Sequence, residues 1–308
     1  MIALIGTILF STKAIWIKLC YQGAAIDATT LLMLRMLIAF PFYVFTFWYS
    51  SQKSILPITK RHWQWAIAMG LLGYYMSSLF DFVGLQYISA GIERIILFVY
   101  PTLAVIINRV IFKTKITQKQ WMSIGVTYLG IAIAYWGELK QINNSAHFIY
   151  GSVMVLLCGI TYAFYLVGTG KLVSAMGAAR YTSSAMLAAS LGIFIHFLIQ
   201  TNFRTNPMMA GIPHSILGYI LALGLIATVI PSFLLNWGMK RVGSNNLAII
   251  TSIGPVATLF QAHYILGEPL TFLQLTGTTL VLLGVLLIKK VGATKTDPDY
   301  PDYPSPKG

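Results

Sequence analysis

Charge is what this chain most lacks: only 9% of its 308 residues are Asp, Glu, Lys or Arg. A soluble domain carries about a quarter charged residues, because its surface faces water. A chain this long and this poor in charge cannot cover such a surface, so its outer face must meet hydrocarbon and the lipid bilayer is its solvent. Cysteine is nearly absent as well. Cys20 and Cys158 both lie in apolar stretches and neither belongs to a CxxC pair, which argues against a disulfide framework or a thiolate metal site. Signatures of hydrolytic and metal chemistry are missing too: there is no His-Glu-x-x-His, no Gly-x-Ser-x-Gly and no paired aspartates suited to a metal. Neither a metal nor a cofactor is expected.

What charge there is has one dominant sign, a formal +13. In a soluble protein that excess would suggest nucleic acid. Here the basic residues are scattered through short loops between apolar runs, as in a membrane protein that fixes its orientation by charge, so no nucleic-acid partner is expected.

A helix crossing hydrocarbon needs roughly 20 apolar residues at 1.5 Å each. That ruler predicts an all-α polytopic protein with ten spans, at 2–20, 29–49, 63–86, 89–112, 119–137, 148–168, 181–200, 214–238, 244–266 and 271–288. The first run reads as a helix of the mature protein rather than a cleaved signal, since no basic segment precedes it and Lys13 interrupts it. Trp63, Trp65, Trp121 and Trp136 fall near span ends, where aromatic belts form. Alternation puts Lys53, Lys60, Arg61, Lys113, Lys115, Lys119, Lys171, Arg180, Lys240, Arg241, Lys289 and Lys290 on one side. The opposite side has Asp27, Glu138, Lys140, Arg204 and Glu268, which nearly cancel. Positive-inside orientation then places both termini in the cytoplasm of a multi-pass inner (cytoplasmic) membrane protein.

The chain repeats itself. Sliding it by 154 residues sets Gly70 on Gly224, Gly84 on Gly238, Pro101 on Pro255, Thr117 on Thr271, Gln120 on Gln274 and Gly130 on Gly284, without a gap. Five spans is an odd number, so the second half enters from the other side and the halves are inverted. The expected organisation is a first five-helix repeat at 1–138, a connecting loop at 139–147, a second repeat at 148–290 and a disordered, proline-rich cytoplasmic tail at 291–308. Pro101 and Pro255 are symmetry mates within spans four and nine. Each removes a helical N–H and disturbs the carbonyl one turn back, so both are read as helix breaks that face a binding site between the halves.

Several segments resemble a known family. The run Gly254-Pro255, then Leu266-Gly267-Glu268-Pro269-Leu270-Thr271, Gln274, Gly277 and Gly284 resembles the end of an EamA domain of the drug/metabolite transporter superfamily. Leu34-Arg35, Gly84-Leu85-Gln86-Tyr87-Ile88-Ser89-Ala90 and Tyr100-Pro101-Thr102 are similar to the same family in the first half, so that the resemblance covers about residues 1–290. It implies a ten-helix bundle with a central cavity, exchange of substrate by rocking of the halves, and export of amino acids, other metabolites or drugs. Two departures stand out. Phe112-Lys113-Thr114-Lys115 lacks the acidic residue that Glu268 supplies in the second half, and Phe10-Ser11-Thr12-Lys13 lacks the Trp-Gly often found there.

Charges at membrane depth need no family to be noticed. Lys13, Arg35 and Asp81 lie inside their spans, with Lys18, Glu93 and Arg94 nearer one end. A charge at the bilayer centre costs about 3 kcal/mol on insertion scales, so each should face a cavity or a partner. Asp81 is expected to pair with Arg35, and Glu93 with Arg94 or Lys18. The second half has Leu235, Leu247 and Ala248 at the positions equivalent to Asp81, Glu93 and Arg94. Counting these six side chains leaves two surplus positive charges, which favours a carboxylate-bearing substrate such as an amino acid. Lys13 and Arg35 are the charged candidates for substrate binding, with Tyr100, Trp16, Tyr162 and Tyr165 as aromatic ones. Asp81, Glu93 and Arg94 are candidates for coupling or ion pairing, and Asp81 is the coupling residue if protons drive transport. His196 and His263 also titrate in the useful range.

The reading that emerges is a secondary transporter for a small molecule, not an enzyme. An integral-membrane enzyme using two intramembrane carboxylates as acid and base stays open as the alternative. Oligomeric state is left undetermined, because small-residue faces such as Gly159-x-x-x-Ala163 suit packing within a bundle as well as between subunits.

Overall fold

The computed structural model of the protein describes residues 1–52, 58–113, 116–139, 145–201, 212–235, 237–238, 250–251 and 253–292. Among these it is helical, with no strand, as expected where backbone groups in hydrocarbon must satisfy one another. The first half contains α1 (Ile2–Ser11), α2 (Lys13–Gly23), α3 (Ala28–Gln52), α4 (Lys60–Gly70), a π-helical segment (Leu71–Met76), α5 (Ser77–Gly84), α6 (Ala90–Leu97), α7 (Tyr100–Phe112) and α8 (Gln118–Leu139). The second contains α9 (Ser145–Met176), α10 (Ala178–Gln200), α11 (His214–Gly224), a second π-helical segment (Leu225–Val229), α12 (Gly254–Leu266) and α13 (Phe272–Gly292).

Seven stretches are long and apolar enough to cross a membrane: Ile2–Gly23, Ala28–Gln52, Lys60–Gly84, Ala90–Ile111, Ala146–Thr169, Ala178–Gln200 and His214–Leu235. The other three expected spans fall on α8, on α12 and on α13, whose apolar part is the shorter Phe272–Leu287. Residues 244–249 and 252 of the ninth span lie outside the described residues, as do 140–144 of the connecting loop and 293–308 of the tail. Trp65, Trp121 and Trp136 are exposed on the bundle's outer face, as belt residues should be.

The 154-residue offset recurs in the geometry. The π segments begin at Leu71 and Leu225, and the breaks before α7 and α12 fall at Val99 and Ile253. Thr117 and Gln120 cap α8 reciprocally, with Thr117 N donating to Gln120 Oε1 and Gln120 N to Thr117 Oγ1. Thr271 and Gln274 do the same for α13. These matched residues thus survive as capping boxes. The hairpins before them turn through a left-handed residue, Lys113 at φ 53° and Gly267 at φ 68°.

α8 and α13 cross at glycines. A Cβ on Gly130 would stand 2.6 Å from Gly277 O, and one on Gly284 would stand 2.9 Å from Ser123 O. Exchanging the halves turns the first contact into the second, as a pseudo-two-fold axis through the crossing requires. Ser123 Oγ also donates to Gly284 O. Close backbone approach of this kind is how helices associate where no hydrophobic driving force exists. Gly277→Val is therefore expected to lower the Tm of the purified protein by at least about 5 °C, because backbone cannot yield to the added atoms. Gly125→Val, where a Cβ meets nothing within 4 Å, should leave Tm unchanged.

Candidate functional site

Interrupted helices converge on the buried charges. α1 ends at Ser11, and Thr12 takes up the slack: its Oγ1 donates to Leu9 O at 2.6 Å and accepts from Trp16 Nε1 at 3.0 Å. The α6–α7 break lies at Phe98 and Val99, so Pro101 stands in the first turn of α7, where its missing N–H costs nothing. Pro255 has the same place in α12. The π segments widen two further helices, a distortion frequent at functional sites. In the second one Thr228 Oγ1 reaches back five residues to Leu223 O at 2.8 Å.

The first residue of α2 is Lys13, and the break at Thr12 turns it toward α5. Its Nζ lies 2.6 Å from Oδ2 of Asp81, which is fully buried. This corrects the expected pairing of Asp81 with Arg35: α3 directs Arg35 across to the second half instead. Glu93 and Arg94, both buried, follow one another on α6 with Glu93 Oε2 3.8 Å from Arg94 Nε. Glu93 and Asp81 are both fully buried and close enough for their charges to act on one another. Arg94 Nε donates to Thr258 Oγ1 at 3.1 Å, and Thr258 Oγ1 donates to Ser11 O at 3.1 Å. Lys18 does not join them. Its Nζ donates to Leu85 O at 3.2 Å and Ile88 O at 2.9 Å, at the C-terminal end of α5. Lys13, Asp81, Glu93 and Arg94 thus form a cluster that balances its own charge.

Arg35 is different. It is 6% exposed, and its Nε donates to Thr228 Oγ1 at 2.9 Å and its Nη1 to Ser78 Oγ at 3.4 Å. Its guanidinium carbon sits 5.5 Å from the centre of the Phe82 ring. Each acidic residue among the described ones is engaged elsewhere. Asp27 caps α3 through Thr30, Asp81 holds Lys13 and Glu93 adjoins Arg94. Glu138 accepts from Gln274 Nε2, and Glu268 accepts from Ala90 N and Gly91 N. Among the described residues Arg35 is a buried cation with hydroxyl partners and no carboxylate within ion-pair distance.

Tyrosines fill the space beside the charges. Tyr100 meets Tyr162 edge-on at 5.0 Å, Tyr162 stacks on Tyr165 at 5.5 Å, and Tyr165 meets Tyr74 at 4.9 Å. Tyr165 OH donates to Tyr74 OH at 2.9 Å. Trp16 stands apart from this ladder, against Tyr219 at 6.0 Å. His196 Nδ1 pairs with Tyr75 OH at 3.0 Å in an apolar groove of about 660 Å³ lined by Phe47, Trp63 and Leu191, and His263 Nδ1 donates to Glu268 O at 2.9 Å. Neither histidine has a partner in the charged cluster.

Sequence reasoning missed the hydroxyls that receive the arginines, Thr228, Ser78 and Thr258. One signal was available: Thr228 is the 154-residue mate of Tyr74, and each sits in its half's π segment.

Comparison with known proteins completes the picture. The model of the EamA-like transporter family matches residues 1–136 and 149–289. The uncharacterized transporter YcbK of Bacillus subtilis is 33% identical over 281 residues, 89% of this chain and 87% of that protein. An uncharacterized transporter of Archaeoglobus fulgidus is 24% identical over 221 residues, 72% of this chain and 75% of that one. A solved crystal structure with 14% identity shares the fold, with a TM-score of 0.64 over 96% of this chain and 98% of the other. Two matched halves, a crossing that maps onto itself and paired breaks around buried charges agree: this multi-pass membrane protein belongs to the EamA-like transporter family.

Proposed function

We propose that the protein is a secondary transporter of the inner (cytoplasmic) membrane that exports a small carboxylate-bearing solute, an amino acid or a related metabolite. Two inverted halves, 1–138 and 148–290, alternate access to a central site, with both termini in the cytoplasm. The observation that carries the substrate class is Arg35. A buried guanidinium held by Thr228 of one half and Ser78 of the other, with no carboxylate of its own, has a place for an anion between the halves. Its planar fork suits a carboxylate bidentately. The tyrosine ladder of Tyr74, Tyr100, Tyr162 and Tyr165 supplies an amphipathic wall beside it. Lys13 and Arg94 are already neutralised by Asp81 and Glu93, so Arg35 is the first contact for substrate.

Counterflow in proteoliposomes tests the reading, with a panel of amino acids, organic acids, nucleosides and cationic drugs. Saturable exchange of anionic or zwitterionic solutes supports it. Exchange confined to cations contradicts the substrate class, and silence from well-folded protein contradicts transport itself. For energy coupling, two buried carboxyl groups whose charges act on one another titrate as a pair, and Asp81 with Glu93 is such a pair. Asp81→Asn is expected to abolish accumulation driven by a pH gradient while exchange at equal pH persists. Unchanged gradient-driven transport would remove Asp81 from that role.

A further inference from the structure

α6 runs only from Ala90 to Leu97, and its first N–H groups have no acceptor within the helix. Ser89 Oγ takes the N–H of Ile92 at 3.3 Å. The N–H groups of Ala90 and Gly91 are taken from the other half of the molecule. Glu268 accepts both, one on each carboxylate oxygen, Oε1 at 2.8 Å and Oε2 at 3.1 Å. Glu268 sits in the hairpin between α12 and α13, which His263 Nδ1 steadies through Glu268 O and which Gly267 turns at φ 68°. A carboxylate seated on a helix N-terminus gains both charge-assisted hydrogen bonds and the favourable end of the helix dipole.

The surroundings belong to the same end of the bundle. Lys18 binds the carbonyls of Leu85 and Ile88 on the turn that leads into α6. Glu138 at the end of α8 accepts from Gln274 at the start of α13, a second link between the halves. The matching hairpin at the other end turns at Lys113 and has Thr114 at the position of Glu268, so it has no carboxylate to offer. One turn along α6 from the contact stand Glu93 and Arg94, and the helix breaks at Phe98. α6 is thus a short rod with the Glu268 contact at its N-terminus and Glu93 and Arg94 near its middle.

We propose that Glu268 is the latch of the gate on the extracytoplasmic side. It closes by seating its carboxylate on the N-terminus of α6, and releasing it frees the helix that carries Glu93 and Arg94. Glu268 is a positioning residue: it acts on substrate through α6 and not by contact. The proposal rests on the transporter reading and its orientation.

Cysteine accessibility tests it without a known substrate. Cys20 and Cys158 are replaced by serine, and Ser78, half-buried on α5 about 9 Å of helix below the gate, becomes the reporter as Ser78→Cys. A membrane-impermeant sulfonated maleimide is applied to intact cells and to inverted vesicles. Glu268→Ala is expected to raise the labelling rate from the outside about tenfold while slowing it from the inside. The isosteric Glu268→Gln should raise it less, and Glu268→Asp should return it toward the parent value. Wild-type labelling in both Glu268→Ala and Glu268→Gln would overturn the latch, and so would equal acceleration from both sides or acceleration from the inside alone. Because no transport is measured, a failed latch leaves the solute-exchange result standing, and a failed exchange panel leaves the labelling result standing.

Discussion

Arg35→Ala is expected to cost about 100-fold in kcat/KM for carboxylate solutes, the usual effect of truncating one partner of a buried hydrogen-bonded charge pair. The same substitution should leave Tm unchanged or raise it. A buried cation without a counterion is a burden on the fold, and relief of that burden offsets the loss of the Thr228, Ser78 and Phe82 contacts. Loss of transport without loss of stability separates a substrate contact from a structural charge. Arg35→Lys should recover part of the activity, since the charge is kept and the fork is lost. Steady-state exchange kinetics and thermal unfolding on the same preparations check both halves of this expectation.

Asp81→Ala should do the reverse to stability. Lys13 Nζ is held 2.6 Å from Asp81 Oδ2 inside the bundle, so removing the acid strands a buried ammonium. Breaking such a pair costs about 3–5 kcal/mol, a fall in Tm on the order of 10 °C for a chain of this size. Lys13→Met combined with Asp81→Leu should restore most of the lost Tm, because two well-packed apolar residues need no partner. Equal stability of Asp81→Ala and wild type would show that the ion pair is not formed.

The contrast between these two residues explains what could be read from the chain and what could not. Lys13, Arg35, Asp81, Glu93 and Arg94 stand out in any apolar sequence because a charge in hydrocarbon is costly. Who pairs with whom depends on how each helix is rotated, and a single break at Thr12 turns Lys13 toward Asp81. No residue type announces that break, nor the π segments at Leu71–Met76 and Leu225–Val229 that place Tyr74 and Thr228. The 154-residue repeat was legible because glycine, proline and capping residues tolerate little replacement, and the geometry gives Thr117, Gln120, Thr271 and Gln274 their reason. The partners of Glu268 could not be foreseen. They are backbone N–H groups 178 and 177 residues away, and backbone carries no sequence signal.

Pro101 and Pro255 were expected as breaks within spans four and nine, and each stands in the first turn of the helix that follows an interruption. Proline at that position gives up an N–H that has no helical acceptor anyway. Val99 O, the first acceptor of α7, accepts from Thr102 Oγ1 at 2.7 Å in addition to the N–H groups of Thr102 and Leu103.

The most direct test of the central claim compares a carboxylate solute from the exchange panel with its primary amide, in proteoliposomes holding wild-type protein or Arg35→Ala. The expected result is saturable exchange of the carboxylate by wild type, weak exchange of the amide, and near-equal, weak exchange of both by the variant. Equal discrimination between carboxylate and amide by wild type and Arg35→Ala would contradict it, and would move the anion site away from Arg35.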